Sequence, residues 1–184
     1  MLYLSKGIKI RQSGSKISIA LGGRTIELNE PETRLWENGE YDFAVTDADT
    51  DVLLSLEDRG LVECEAENSP VSKYFILTRC IFCVSDAKVV KINLSKLEKE
   101  ILIWLKNAGI HLSVAELIYL IEHKVKPSDD LLYEENRQAL VEKIYTTENI
   151  ADNILENQML EAKCRDEVVN TLISLLKKRY LDVL

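Results

Sequence analysis

Lys16-Ile17-Ser18-Ile19-Ala20-Leu21-Gly22-Gly23-Arg24-Thr25-Ile26-Glu27-Leu28, followed by Asn29-Glu30-Pro31-Glu32, decides the fold class. The first six residues alternate apolar and polar, as a strand with one buried face does. Gly22-Gly23 then turns the chain cheaply, because both positions of a tight hairpin need φ > 0. Behind the second strand, Asn29 is placed to cap a helix, with Pro31 and two glutamates in its first turn. Such side chains satisfy amide groups that a helix start leaves without partners. Strands that hand over directly to a capped helix predict an α+β fold.

Working outward, residues 1–28 read as strands and the first helix runs through Leu35 and Trp36 to Asn38-Gly39. Thr46-Asp47-Ala48-Asp49 predicts a second helix start, with Val52, Leu53 and Leu56 on one face and Gly60 as its left-handed cap. Leu61 to Glu65 alternates as a strand, Asn68-Ser69-Pro70 reads as a turn, and Lys73 to Val84 as a long apolar strand. Ser85-Asp86-Ala87 marks a boundary between domains at 1–86 and 87–184. Lys88 to Ile92 reads as a brief strand. Beyond it Ser95 with Glu98 and Ser113 with Glu116 form capping boxes, and Gly109 ends the first of these helices. Helical spacing continues over 130–145, 147–160 and 163–179.

The chain echoes itself. Leu53-Leu54-Ser55-Leu56-Glu57-Asp58-Arg59-Gly60-Leu61-Val62-Glu63 aligns without gaps on Leu172-Ile173-Ser174-Leu175-Leu176-Lys177-Lys178-Arg179-Tyr180-Leu181-Asp182, and Leu28 to Trp36 echoes Leu94 to Trp104. Repeated units of this kind disclose architecture. The helix holding Leu53 and Leu56, its exit through Arg59-Gly60-Leu61-Val62 and the hairpin expected after it resemble the third helix and wing of winged-helix proteins, including MarR-type regulators. The resemblance covers 29–84, and 94–124 with 163–184, leaving 130–160 as an insertion. It implies two winged-helix-like units, the first with β-hairpins and the second mostly α-helical, with little or no wing before Leu184. The first unit also resembles the PqqD-type peptide-binding chaperones of modified-peptide biosynthesis. Leu28-Asn29, Trp36, Asp51-Val52, Leu56 and Gly60-Leu61 carry that likeness, although the region between the helices is shorter here.

Composition bounds the function. Of 184 residues 46% are hydrophobic and 29% charged, enough to bury a core. No secretory signal is recognisable, and runs such as Ile101 to Leu105 fall far short of the roughly 20 apolar residues of a membrane span. The expectation is a cytoplasmic protein with four reduced cysteines and no membrane contact. A formal charge of −8 disfavours DNA as a general partner. Residues 1–86 hold nine Lys and Arg against fifteen Asp and Glu, and residues 87–184 hold fourteen against sixteen.

Motifs of catalysis are missing. Cys80-Ile81-Phe82-Cys83 has zinc-like spacing, but inside an apolar strand its thiols would face opposite ways, so both read as small buried hydrophobes. His111 and His123 stand alone, and the acidic groups Asp47/Asp49/Asp51 and Asp129/Asp130 suit helix starts. No catalytic, metal or cofactor residues are expected, and the protein is not expected to be an enzyme. For nucleic acid, the helix over 46–59 is acidic, whereas 162–179 carries Lys163, Arg165, Lys177, Lys178 and Arg179 against Asp166 and Glu167. Those five cations with Asn170 are the candidate DNA contacts, although Lys177 to Arg179 also complement a helix C-terminus. The expectation is a non-catalytic regulatory adaptor that binds protein or peptide, in a transcription-related complex. The alternatives are a winged-helix DNA-binding regulator using 162–179, and a peptide-binding chaperone like PqqD.

Overall fold

A computed structural model describes residues 1–47, 50–85, 93–107, 112–133 and 136–184. The chain is α+β and divides into two compact units, Met1–Cys80 with Asp182–Leu184, and Ile81–Leu181.

The first unit contains two small antiparallel sheets. One has the order β2-β3-β4, from β2 (Ile8–Ser13), β3 (Lys16–Leu21) and β4 (Arg24–Leu28); the other runs β5-β1-β6, from β1 (Leu2–Ser5), β5 (Ala44–Val45) and β6 (Val62–Glu65). The hairpin read from Gly22-Gly23 is present, with φ of 56° and 75° at the two glycines and Leu21 paired to Arg24. Helices α1 (Glu30–Asn38), α2 (Thr50–Asp58) and α3 (Pro70–Thr78) complete the unit. The Asn29 and Glu32 side chains cap α1 reciprocally. Ile17, Ile19, Leu28, Trp36, Leu53, Leu56 and Leu61 form one buried cluster. Trp36 is fully buried, and its indole N–H donates to the Lys6 carbonyl at 3.0 Å.

Two expectations for this unit are corrected. Residues 70–78 form a helix where the reading placed a strand. Ser69 is an N-cap, its hydroxyl accepting from the Ser72 N–H at 3.0 Å, and Pro70 opens the first turn. The Ser-Pro pair read as a turn is thus a helix start. Burial of Ser72, Tyr74, Ile76 and Leu77 around α3 leaves little polar face for a helical period to show. Cys80 therefore follows a helix and Cys83 lies in a three-residue strand, β7 (Phe82–Val84), rather than both lying in one long strand. Likewise, Thr46 is no helix cap. Its N–H donates to the Met1 carbonyl and its own carbonyl accepts from the Met1 amine, beside the β1–β5 ladder. Asp49, in the same acidic group, lies outside the described residues.

The second unit is helical: α4 (Lys96–Asn107), α5 (Val114–Glu122), α6 (Asp129–Leu132), α7 (Arg137–Ile144), α8 (Asp152–Leu160) and α9 (Arg165–Lys177), with β8 (Leu181–Val183) beginning at its last residue. Both expected capping boxes form, Ser95 with Glu98 and Ser113 with Glu116. The segment over 130–145 is two helices, interrupted where Tyr133 takes extended backbone (φ −82°, ψ 141°). The strand expected over Lys88 to Ile92, most of the boundary at Ser85-Asp86-Ala87 and the helix end at Gly109 lie outside the described residues. Trp104 is fully buried with Ile101, Leu117, Ile118, Leu172 and Leu175.

The aligned helix exits share their hydrogen bonds as well as their letters. Gly60 N–H donates to Glu57 O and Leu61 N–H to Leu56 O; Arg179 N–H donates to Leu176 O and Tyr180 N–H to Leu175 O. Both exits are Schellman motifs turned by a left-handed residue, Gly60 at φ 73° and Arg179 at φ 59°.

Candidate functional site

The β2-β3-β4 sheet gives the first unit two strand edges, and they differ. Paired residues share a face, so Ile17, Ile19, Ile26 and Leu28 line the core side, while Arg11, Lys16, Ser18, Thr25 and Glu27 line the outer side. At the β2 edge the register slips between Lys9 and Arg11, which places a bulge at Ile10. Bulges and charged side chains obstruct the addition of another strand.

The β4 edge has neither bulge nor proline. A two-residue turn makes Leu21 and Arg24 a hydrogen-bonded pair, so Ile26 and Leu28 also face β3 with their peptide groups. The N–H and C=O groups of Thr25 and Glu27 then point away from β3. Among the described residues none of the loop, turn or cap hydrogen bonds uses them, and both side chains are exposed. Beneath this edge lies a groove of about 520 Å³ lined by Arg24, Ile26, Glu57, Asp58, Arg59 and Gly60. Ile26 is the one apolar side chain among them. Arg59 is held by Glu32 at 2.7 Å. Glu57 faces Cys64, whose thiol burial and this carboxylate push up to about 12. Exposed Asp58 and Arg24 remain at the rim without ion pairs among the described residues.

The residues proposed from sequence for DNA occupy another surface. Val168, Val169, Leu172, Ile173, Leu175 and Leu176 of α9 are buried, so the helix serves the core of its unit. Lys178 reaches Glu98 at 2.5 Å and is half-buried; Arg165 holds Asp166 at 2.8 Å and donates to the Leu160 carbonyl. Lys163 and Asn170 are exposed, as are Lys177 in the last turn of α9 and Arg179 just after it. Lys163 and Arg165 therefore lie near the start of α9, and Lys177, Lys178 and Arg179 at its end.

Other reactive groups have local roles. His123 ends α5 with its ring stacked on Tyr119, centroids 3.9 Å apart, whereas His111 lies outside the described residues. Cys80 is buried at the end of α3 and its thiol is pushed up to about 12 by that burial. Among the described residues no three His, Cys, Asp or Glu side chains converge as a metal site, and no helix is long and apolar enough to cross a membrane. Sequence reading located β4 and α2 but missed the open edge. The signal was available, since a two-residue loop fixes which peptide groups face inward.

No family model, curated protein or solved structure matches the chain.

Proposed function

We propose that this protein is a non-catalytic binding protein whose first unit takes up an extended peptide as a fourth strand on the free edge of β4. The observation that carries the reading is the regular, exposed edge at Thr25 and Glu27 beside a groove lined by Ile26 and by charged side chains. Main-chain hydrogen bonds would supply affinity, and alternate side chains entering the groove would supply selectivity. The expected resemblance to peptide-binding chaperones agrees with this use of the unit, and a regulatory adaptor needs no more chemistry. Both units are read as winged-helix-like in their helix-to-strand exits, with α3 standing where the second wing strand was expected.

The test is Thr25→Pro. The Thr25 N–H faces outward, so proline removes an edge donor and leaves the bonds to β3 intact. The edge then loses a hydrogen bond and gains a ring against the incoming strand, and peptide affinity should fall at least about tenfold. Circular dichroism and the thermal midpoint should stay near wild type, and Glu27→Pro should behave alike. Undiminished binding by both folded variants would refute the reading. Concentration-dependent self-association that Thr25→Pro abolishes would assign the edge to a second copy instead.

A further inference from the structure

The end of α2 lines the groove beside the β4 edge, and its charges run against its dipole. A helix C-terminus carries partial negative charge and is stabilised by nearby cations. Helix α2 nevertheless ends in Glu57 and Asp58, with no basic residue in its last turn. Arg59, the next residue, donates from Nε to the Ser55 carbonyl at 3.3 Å and pairs with Glu32 at 2.7 Å, so its charge is already answered. The aligned exit in the second unit is built the other way. Lys177 closes the last turn of α9, and Lys178 and Arg179 follow it, at the places aligned with Asp58, Arg59 and Gly60. The shared backbone turn therefore does not require carboxylates here. A local choice against the electrostatic rule is expected where a surface serves binding.

An added strand would meet carboxylates on both of its faces. Arg24 and Ile26 share a face of β4 with the groove, whereas Thr25 and Glu27 share the outer face. Facing the edge are Glu27, Glu57 and Asp58, the Glu32–Arg59 pair, and Arg24 at the hairpin end. Glu27 and Asp58 are exposed and make no ion pair among the described residues, and half-buried Glu57 lies beside the Cys64 thiol. Arg11 and Lys16 stand on β2 and β3, away from this edge. The whole unit carries nine Lys and Arg against fifteen Asp and Glu, so its longer-range field has the same sign as the edge.

We infer that the strand accepted by β4 is basic, with two successive Lys or Arg residues that straddle the sheet. That assignment stands on the edge reading proposed above. One cation lies opposite Glu27 on the outer face, where opposite charges on neighbouring strands attract. The next residue points into the groove opposite Ile26. Its aliphatic stem covers Ile26 while its charged head meets Asp58 and Glu57 at the negative end of α2. The place opposite Arg24 is expected to hold a neutral or acidic residue, because like charges directly opposite repel.

The experiment pans a display library of random short peptides against the full chain, the Thr25→Pro variant and the doubly substituted Glu27→Lys, Asp58→Lys variant, each checked for folding by circular dichroism. Peptides enriched on wild type and absent from Thr25→Pro should carry adjacent basic residues. The double reversal replaces two attractions by two repulsions, each modest at a solvated surface, so it should weaken a selected basic peptide about tenfold. The milder pair Glu27→Gln, Asp58→Asn should weaken it about threefold. Neither variant should weaken the same peptide with its basic residues changed to glutamine, and the differences should shrink with added salt. Enriched peptides that are neutral or acidic, or an affinity unmoved by both double variants, would overturn the basic assignment and leave edge binding standing. Enrichment that is equal on Thr25→Pro, or no enrichment on wild type, would overturn the edge reading and the basic assignment together.

Discussion

Glu98→Gln is the substitution whose cost the structure specifies most fully. The Glu98 carboxylate is buried at the start of α4 and receives the Ser95 backbone N–H at 2.7 Å, the Ser174 hydroxyl at 2.8 Å and the Lys178 ammonium at 2.5 Å. Burial by itself would raise its pKa. The Lys178, Ser95 and Ser174 hydrogen bonds, helped by the Lys178 charge, outweigh that and hold it down at about 2. A fall from 4.5 to about 2 corresponds to about 3 kcal/mol of stabilisation at neutral pH. The Lys178 side chain is 26% exposed and regains water once its partner is neutral, so about 2 kcal/mol is the expected loss in Glu98→Gln. The sign follows from a folded pKa below the unfolded one. Stabilisation is complete above the unfolded value and disappears as pH falls through the folded value. The two proteins should thus differ fully at about pH 7, converge from about pH 5, and unfold alike near about pH 2. Urea unfolding followed by Trp104 emission, in a Trp36→Phe background, reads this unit separately. A difference that stays constant from neutral pH to about pH 2, or none at neutrality, would refute the electrostatic account.

Trp36→Ala and Trp104→Ala should each destabilise the unit that buries the ring, by about 3–5 kcal/mol in chemical unfolding. Burial pushes the Cys64, Cys80 and Cys164 thiols to about 12, aided at Cys64 by Glu57 and at Cys164 by Glu122; all three should resist iodoacetamide near neutral pH and react in urea, as mass spectrometry of the labelled peptides will show. Lys124 follows the His123 cap of α5 at φ 55°, so Lys124→Gly should raise the unit's stability by about 0.5 kcal/mol, the relief of left-handed strain exceeding the extra entropy of the unfolded chain.

Local chemistry made much of the fold legible. Gly22-Gly23 declared its turn, Asn29, Ser95 and Ser113 declared their helices, and Trp36 and Trp104 fell inside amphipathic faces. Long-range pairing was not legible. Nothing near Leu2 to Ser5 states that β1 will lie between β5 and β6, because a four-residue strand buried throughout has no alternation to display. Helix α3 was hidden for a related reason, its buried positions filling more than one stripe. The candidate edge was half legible: β4 could be read, but its exposure depends on where β2, α1 and α2 come to rest.

What separates the two surfaces considered for binding is how their cations are engaged, more than how many they hold. The segment over 162–179 is net +3 and so are residues 8–28. In the helix, Lys178 is spent on Glu98 and Arg165 on Asp166, and releasing either to a ligand would cost a bond already made. Six apolar residues hold α9 in its own core, which limits how much of it an incoming groove could touch. In the sheet, Arg11, Lys16 and Arg24 make no such ion pairs among the described residues, nor do Glu27 and Asp58 at the β4 edge, and the outward peptide groups of Thr25 and Glu27 on β4 enter none of the loop, turn or cap hydrogen bonds. A ligand there gains main-chain hydrogen bonds and charge contacts without first breaking any. Equal net charge therefore translates into unequal capacity to bind, and the sheet edge holds the advantage.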